Sequence, residues 1–195
     1  PPMLGLLYAM FMFGIGKAAL MPVHRWLPSA MVAPTPVSAL LHAVAVVKMG
    51  VFCILRLVFH VMGVDLMGQL GLGIATAYLV SFTIITASIY ALTRDDLKAR
   101  LAYSTISQLS YVVLGAFLAN ASGIIGSATH IAMHAFGKIT LFFCAGAILV
   151  AAHKTEISEM DGLGRHMPFT MGAFLVASIS IAGLPPLGGF WSKWY

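Results

Sequence analysis

Charged side chains are scarce in this sequence: Asp, Glu, Lys and Arg make up 9% of its 195 residues, against roughly 25% in a soluble domain. So little polar surface cannot cover a water-exposed globule of this size. With 60% hydrophobic residues and a mean hydropathy of +0.95, the chain reads as an all-α, polytopic membrane helix bundle. Acidic residues are rarer still, and all six (Asp65, Asp95, Asp96, Glu156, Glu159 and Asp161) fall between the apolar runs. The two cysteines, Cys53 and Cys144, stand singly in apolar stretches; with no CxxC spacing they suggest neither zinc nor an iron–sulfur cluster, and packing is their expected role. Also lacking are a glycine-rich phosphate loop, a nucleophile elbow and a flavin or nicotinamide fingerprint. No catalytic residue, cofactor or metal is therefore expected. The net charge of +5 comes without the aromatic-interleaved basic patches of a nucleic-acid binder.

What is present is a series of long apolar runs. Residues 66–93 carry no charge, enough to cross a hydrocarbon core that needs about 20 residues. Residues 101–137 carry only His130 and His134 as ionisable groups other than tyrosine. That run is too long for one crossing, and Asn120–Gly123 supplies its turn. The same reasoning gives six spans in one transmembrane domain, approximately 3–20, 35–60, 68–93, 101–119, 124–152 and 169–195. The first and last are expected to be discontinuous and the last incomplete. With no signal peptide, a start at Pro1 and "GFWSKWY" at the other end, the chain reads as an internal fragment of a longer protein. One set of loops holds Arg25, Arg94, Lys98, Arg100, Lys154 and Arg165; the other holds no Lys or Arg unless Arg56 is counted. The positive-inside rule puts the basic loops in the cytoplasm.

Within the spans only bases remain: Lys17, Lys48, Lys138, Lys193, His42, His130 and His134. An unpaired ammonium in hydrocarbon costs several kcal/mol, so these groups must be neutral part of the time, hydrated, or paired with carboxylates from elsewhere. In "HIAMHAFGK" the spacing i, i+4, i+8 sets His130, His134 and Lys138 along one helical stripe, about 6 Å apart. Imidazole both donates and accepts protons near neutrality, so the stripe suits proton transfer. A metal site would need a third ligand that this face lacks. His42 and Lys48, six residues apart, lie about 120° apart around a helix axis and are expected to face different neighbours. His24, His60, His153 and His166 carry no assigned role, and residues 94–100 read as a solvated loop.

Two spans are punctuated. "GIGKAALMPVHRWLP" sets Lys17 among Gly14, Gly16 and Pro22, and "GLPPLGGFWSKW" sets Lys193 after Pro185, Pro186, Gly188 and Gly189. Backbone groups freed by Gly and Pro are tolerated at membrane depth only beside protein or a watery cavity. Interrupted spans in corresponding positions point to transporter sites. Five spans separate the two breaks, and that odd offset makes them run in opposite directions, as in an inverted five-helix repeat.

These stretches, with "RDDLKARLAYSTISQLSY" and "HIAMHAFGKITLFFCAGAI", resemble the antiporter-like proton-conducting membrane subunits. That family comprises membrane-arm subunits of respiratory complex I, Mrp-type cation/proton antiporters and membrane-bound hydrogenase relatives. The resemblance implies a 14-helix fold with two inverted repeats, of which this chain looks like helices seven to twelve. Lys17 would lie on broken helix seven and Lys193 on broken helix twelve. His42 and Lys48 would lie on helix eight, and His130, His134 and Lys138 on helix eleven. The family's glutamate partner, on helix five, would lie upstream of Pro1. His42 together with Lys48 slightly favours the Mrp-like or hydrogenase-like branch.

The function so implied is proton translocation in an NADH–quinone oxidoreductase or an Mrp-type Na⁺/H⁺ antiporter complex of the cytoplasmic membrane. Lys17 would switch charge, Lys48 and the stripe would relay, and Lys193 would gate the exit. The implied partners are other membrane subunits, the lipid bilayer, protons and Na⁺, with no nucleic acid and no redox centre in this chain. Two rival readings are a non-conducting scaffold that anchors a redox enzyme, and an enzyme that binds quinone between helices.

Overall fold

The computed structural model describes residues 2–43, 45–118 and 120–195; the side chains of Pro2, Val64 and Asp65 lie outside the described set. Asp65, expected on the face opposite the basic loops, is thus known only by its backbone.

The first apolar run forms α1 (Pro2–Gly14), and the helix stops where glycine removes its support. Gly16–Ala18 makes a single 3₁₀ turn. Ala19 closes it in the left-handed region (φ 54°) with its N–H on Gly16 O at 3.1 Å. The Trp26 indole N–H donates to the same carbonyl at 2.9 Å. A non-glycine residue there is held at a cost of about 1–3 kcal/mol, so the turn that carries Lys17 is tied from two directions. The short α2 (Trp26–Ser29) leads into α3 (Thr35–Ala43) and α4 (Val46–Arg56).

The stretch Thr35–Met62 is thus two helices rather than one uniform span. Ala45 N bonds to Leu40 O at 3.0 Å, a widened i to i−5 turn, and a π-helical turn over Leu57–Met62 ends the second piece. Such turns are rare and recur at functional sites.

Beyond α5 (Val64–Gln69) stand α6 (Leu72–Thr93), α7 (Leu97–Phe117) and α8 (Ala121–Ala152). Asp96 caps α7 by accepting from Ala99 N at 2.6 Å, and Asn120 caps α8 by accepting from Gly123 N at 2.6 Å. Each side chain answers an orphan donor of the first turn. After α9 (Leu163–His166), Pro168 starts α10 (Pro168–Ala182) and Gly183, at φ 90°, ends it. The chain then crosses Pro185 and Pro186 and resumes as α11 (Gly188–Trp194).

Among the described residues, Thr35–Met62, Leu72–Thr93 and Ala121–Ala152 are long and apolar enough to cross a membrane. Met3–Gly14 and Pro168–Ala182 are shorter apolar helices. α7 is absent from both groups because Lys98, Arg100, Ser104, Ser107, Gln108 and Ser110 dilute it. That polarity belongs to a helix packed between α6 and α8. Ser88 and Ser107 share a hydrogen bond of 2.8 Å, and Ser127 Oγ donates to Val112 O at 2.9 Å, the polar attachments that join helices where water is absent. α6 turns Ile74, Tyr78, Phe82, Ile85 and Ile89 outward. An exposed apolar stripe of this length suits contact with lipid or with further membrane helices.

α8 is the hub, packed by α3, α7, α10 and α11. Its 32 residues span about 48 Å, and Lys138 lies near the midpoint, beyond snorkelling reach of either end.

One close approach has a measurable consequence. The Lys17 turn packs on α4 at Gly50, where an added Cβ would lie 2.5 Å from the Lys17 carbonyl carbon and 2.9 Å from Ala18 Cα. Backbone cannot yield as a side-chain tip can, so Gly50→Ala is expected to cost about 1–3 kcal/mol. The thermal midpoint of the purified full-length protein measures this. Gly5→Ala, with nothing within 4 Å of the new carbon, should leave the midpoint unchanged or raised.

Candidate functional site

The site is built on α8. Four-residue spacing turns His130, His134 and Lys138 toward the interior, where they are 5%, 2% and 0% exposed. The two imidazole centroids lie 5.9 Å apart. His130 Nδ1 meets Ser192 Oγ of α11 at 2.9 Å, and that hydroxyl donates to Gly189 O at 3.1 Å. With its proton on Gly189 O, the hydroxyl accepts from Nδ1–H, and His130 Nε2 becomes the proton acceptor. His130 Nε2 and both nitrogens of His134 are buried without a partner among the described residues.

The lysines share a device. Lys48, 6% exposed, donates from α4 to Ile131 O on α8. Lys138 donates from α8 to Leu101 O on α7 at 3.0 Å. Lys193 donates from α11 to Ile181 O at 2.7 Å and Ala182 O at 3.5 Å. Those last carbonyls are the ones freed where α10 stops, and a cation at a helix C-terminus is held by the helix dipole as well as by hydrogen bonds. The Tyr111 ring lies 5.7 Å from the same ammonium. Three ammonium groups thus rest on main-chain carbonyls of another helix. Of the acids with described side chains, Asp95 is held by Ser158 and Asp96 by the cap of α7, both away from these lysines.

His42 is fully buried, its ring 5.1 Å from that of Phe142 on α8 and both its nitrogens without a partner among the described residues. His42 and Lys48 therefore reach the same helix at different heights, not different neighbours. The phase of a single helix does not carry across from α3 to α4. Six of the seven bases named from the sequence gather around α8. The seventh, Lys17, stands apart on its turn beside Gly50 and, like Lys193, is exposed. Among the described residues no three His, Cys, Asp or Glu side chains are grouped to hold a metal ion.

Three contributors escaped the pattern search. Ser192 joins His130 to α11, Tyr111 flanks Lys193, and Gln108 shares a cavity wall with Lys138. Ser192 directly precedes a lysine after a helix break. Gln108 and Tyr111 belong to the polar face of "STISQLSY", which a helical-wheel reading of α7 exposes.

The description "NADH:quinone oxidoreductase/Mrp antiporter, TM" belongs to a family that matches residues 1–195. NAD(P)H-quinone oxidoreductase chain 5 of Synechocystis sp. is 38% identical over 195 residues, covering 94% of this chain and 27% of that protein. The chloroplastic NAD(P)H-quinone oxidoreductase subunit 5 of Ipomoea purpurea is 37% identical over 201 residues, covering 94% and 26%. The chain spans about a quarter of the length of these curated relatives. Among solved structures, the Mrp complex from Dietzia sp. DQ12-45-1b aligns with a TM-score of 0.85 at 36% identity over 95% of this chain and 20% of that one. The archaeal membrane-bound sulfane sulfur reductase aligns at 0.85 with 29% identity over 94% and 37%.

Proposed function

The chain belongs to the NADH:quinone oxidoreductase/Mrp antiporter transmembrane family, and we propose that it is a proton-translocating, membrane-embedded part of a multisubunit complex. Protons pass along the bases gathered on α8. The observation that carries this reading is the burial of Lys48, His42, His130, His134 and Lys138 in contiguous apolar surroundings. A buried polar group without a partner costs about 1–3 kcal/mol, and intramembrane ionisable groups are by default functional.

A lysine on a carbonyl can release a proton without breaking an ion pair, and the next imidazole along α8 can receive it. His130 takes it up at Nε2, while the hydrogen bond between Nδ1 and Ser192 Oγ fixes the ring against the α11 segment that bears Lys193. Lys17, on its separate turn, meets a carboxylate supplied from outside this chain and biases the relay electrostatically. The partners are other membrane subunits, as in the complexes that hold the relatives. The coupled process is redox chemistry elsewhere in the complex or counter-transport of Na⁺. The loops bearing Arg94–Arg100 and Lys154–Arg165 face the cytoplasm, by the asymmetry of Lys and Arg, in the cytoplasmic membrane.

The test is proton translocation by the whole complex in sealed vesicles, normalised to assembled complex. Lys48→Met is expected to lower the rate at least tenfold, while Arg165→Gln, exposed on the short α9, leaves it unchanged. A scaffold role predicts full translocation per assembled complex in both variants.

A further inference from the structure

Beside the relay lies a cavity of about 460 Å³ between α7, α8 and α10. Arg100, Ser104 and Gln108 line it from α7, Lys138 from α8 and Ser178 from α10. On α7 the three polar residues repeat the i, i+4, i+8 spacing of the His130–Lys138 stripe, and so cover about 12 Å of helix. Its outer end is framed by Leu97, Ile157 and Met160, which belong to the connections flanking Arg94–Arg100 and Lys154–Met160. Those two connections are clasped: Leu97 N bonds to Thr155 O at 3.1 Å, Ile157 N to Asp95 O at 3.0 Å, and Ser158 Oγ to Asp95 Oδ2 at 2.5 Å. At depth, Gln108 Oε1 is buried with no partner among the described residues. Lys138 has one donor on Leu101 O, leaving two of the three that an ammonium carries.

We propose that this cavity is the aqueous access by which Lys138 exchanges protons with the side bearing the 94–100 loop, and that Gln108 is a positioning residue for the last step. The cavity is large enough for several waters, and Arg100, Ser104, Gln108, Lys138 and Ser178 give them polar partners among its apolar lining residues. The inner end of the polar file is an amide oxygen able to accept from a water that in turn meets the Lys138 ammonium. Ser104 and Arg100 continue the file outward. The clasp keeps the two connections at a fixed separation across the mouth, so access does not depend on loop opening. The inference rests on the relay reading for its purpose. The cavity's exposure to water is independent of that reading.

The experiment uses the whole complex in sealed vesicles, with Cys53→Ser and Cys144→Ala as background. A membrane-impermeant methanethiosulfonate reagent is added to one face at a time. Ser104→Cys and Gln108→Cys are expected to react from the face that labels the loop reference Arg94→Cys. They should stay unlabelled from the face that labels Leu118→Cys at the other end of α7. Reaction from the Leu118 face overturns the assignment, as does no reaction from either face, the result for a groove filled by a lipid chain. Gln108→Leu is expected to slow translocation per assembled complex roughly tenfold, and Gln108→Asn, which keeps an amide, to restore most of it. A full rate in Gln108→Leu removes the positioning role. Labelling reads water access and translocation reads the relay, so the two failures are distinguishable.

Discussion

Lys138→Met is expected to lower proton translocation per assembled complex about 100-fold while the complex keeps or gains thermal stability. Both halves follow from the surroundings of the side chain. Lys138 is fully buried at the midpoint of α8, and its one hydrogen-bond partner among the described residues is Leu101 O. That carbonyl also accepts from Thr105 Oγ1 at 2.9 Å, so removing the ammonium leaves no orphaned acceptor. Methionine has a similar length and no charge to desolvate. Replacing a buried charge with an apolar group of similar volume is often neutral or stabilising. Transport loses the group that charges and discharges between the cavity and His134. Lys138→Arg separates charge from exchange, because a guanidinium stays protonated at every working pH. It should also fail to translocate. A structural role for Lys138 predicts the opposite pairing, with stability falling in Lys138→Met and the rate per assembled complex preserved. The two measurements are translocation in vesicles and a thermal melt of the purified complex.

That contrast bears on how the fold and site could be read from the residues. The membrane class follows from hydropathy and charge, because a bilayer demands apolar runs and places ions in loops whatever the packing. The two breaks were legible for a related reason. Gly14 and Gly16 before Lys17 weaken a helix and Pro185 and Pro186 before Lys193 interrupt one, and the structure ends α1 at Gly14 and α10 at Ala182.

The interruption between α3 and α4 was not legible. "LLHAVAVVKMG" contains no proline, and its only glycine, Gly50, comes after the break. The widened turn at Ala45 is selected by what α3 and α4 pack against, which no local propensity encodes. The α8 stripe was visible because helical periodicity alone aligns His130, His134 and Lys138. Its connections were not, because the receptors of Lys48, Lys138 and Lys193 are main-chain carbonyls of Ile131, Leu101 and Ile181. Every residue has such a carbonyl, so the sequence cannot mark those that receive a lysine. Lys17 shows the converse. Its position beside a helix break was plain, yet the turn leaves it exposed, apart from the bases on α8.

His134→Ala is expected to slow translocation by a factor comparable to Lys138→Met with only a modest loss of stability, and His130→Ala to reduce both. His134 sits between the other two members of the stripe, about 6 Å along the axis from each, so its loss opens a gap of about 12 Å that one bridging water cannot span. Both its nitrogens lack a partner among the described residues, so truncation breaks no hydrogen bond there. The structural penalty is limited to lost contacts and the cavity left behind. His130 differs because its Nδ1 is joined to Ser192 and through it to Gly189 O. Removing His130 leaves Ser192 short of a partner and loosens α11 on α8, so the melt should move together with the rate. Free imidazole added to His134→Ala vesicles should recover part of the rate, since the vacated volume suits that ring and restores a proton carrier. No such recovery is expected in Lys138→Met, where the missing group is a tethered cation. Normal translocation per assembled complex in His134→Ala would exclude the α8 stripe as the proton route.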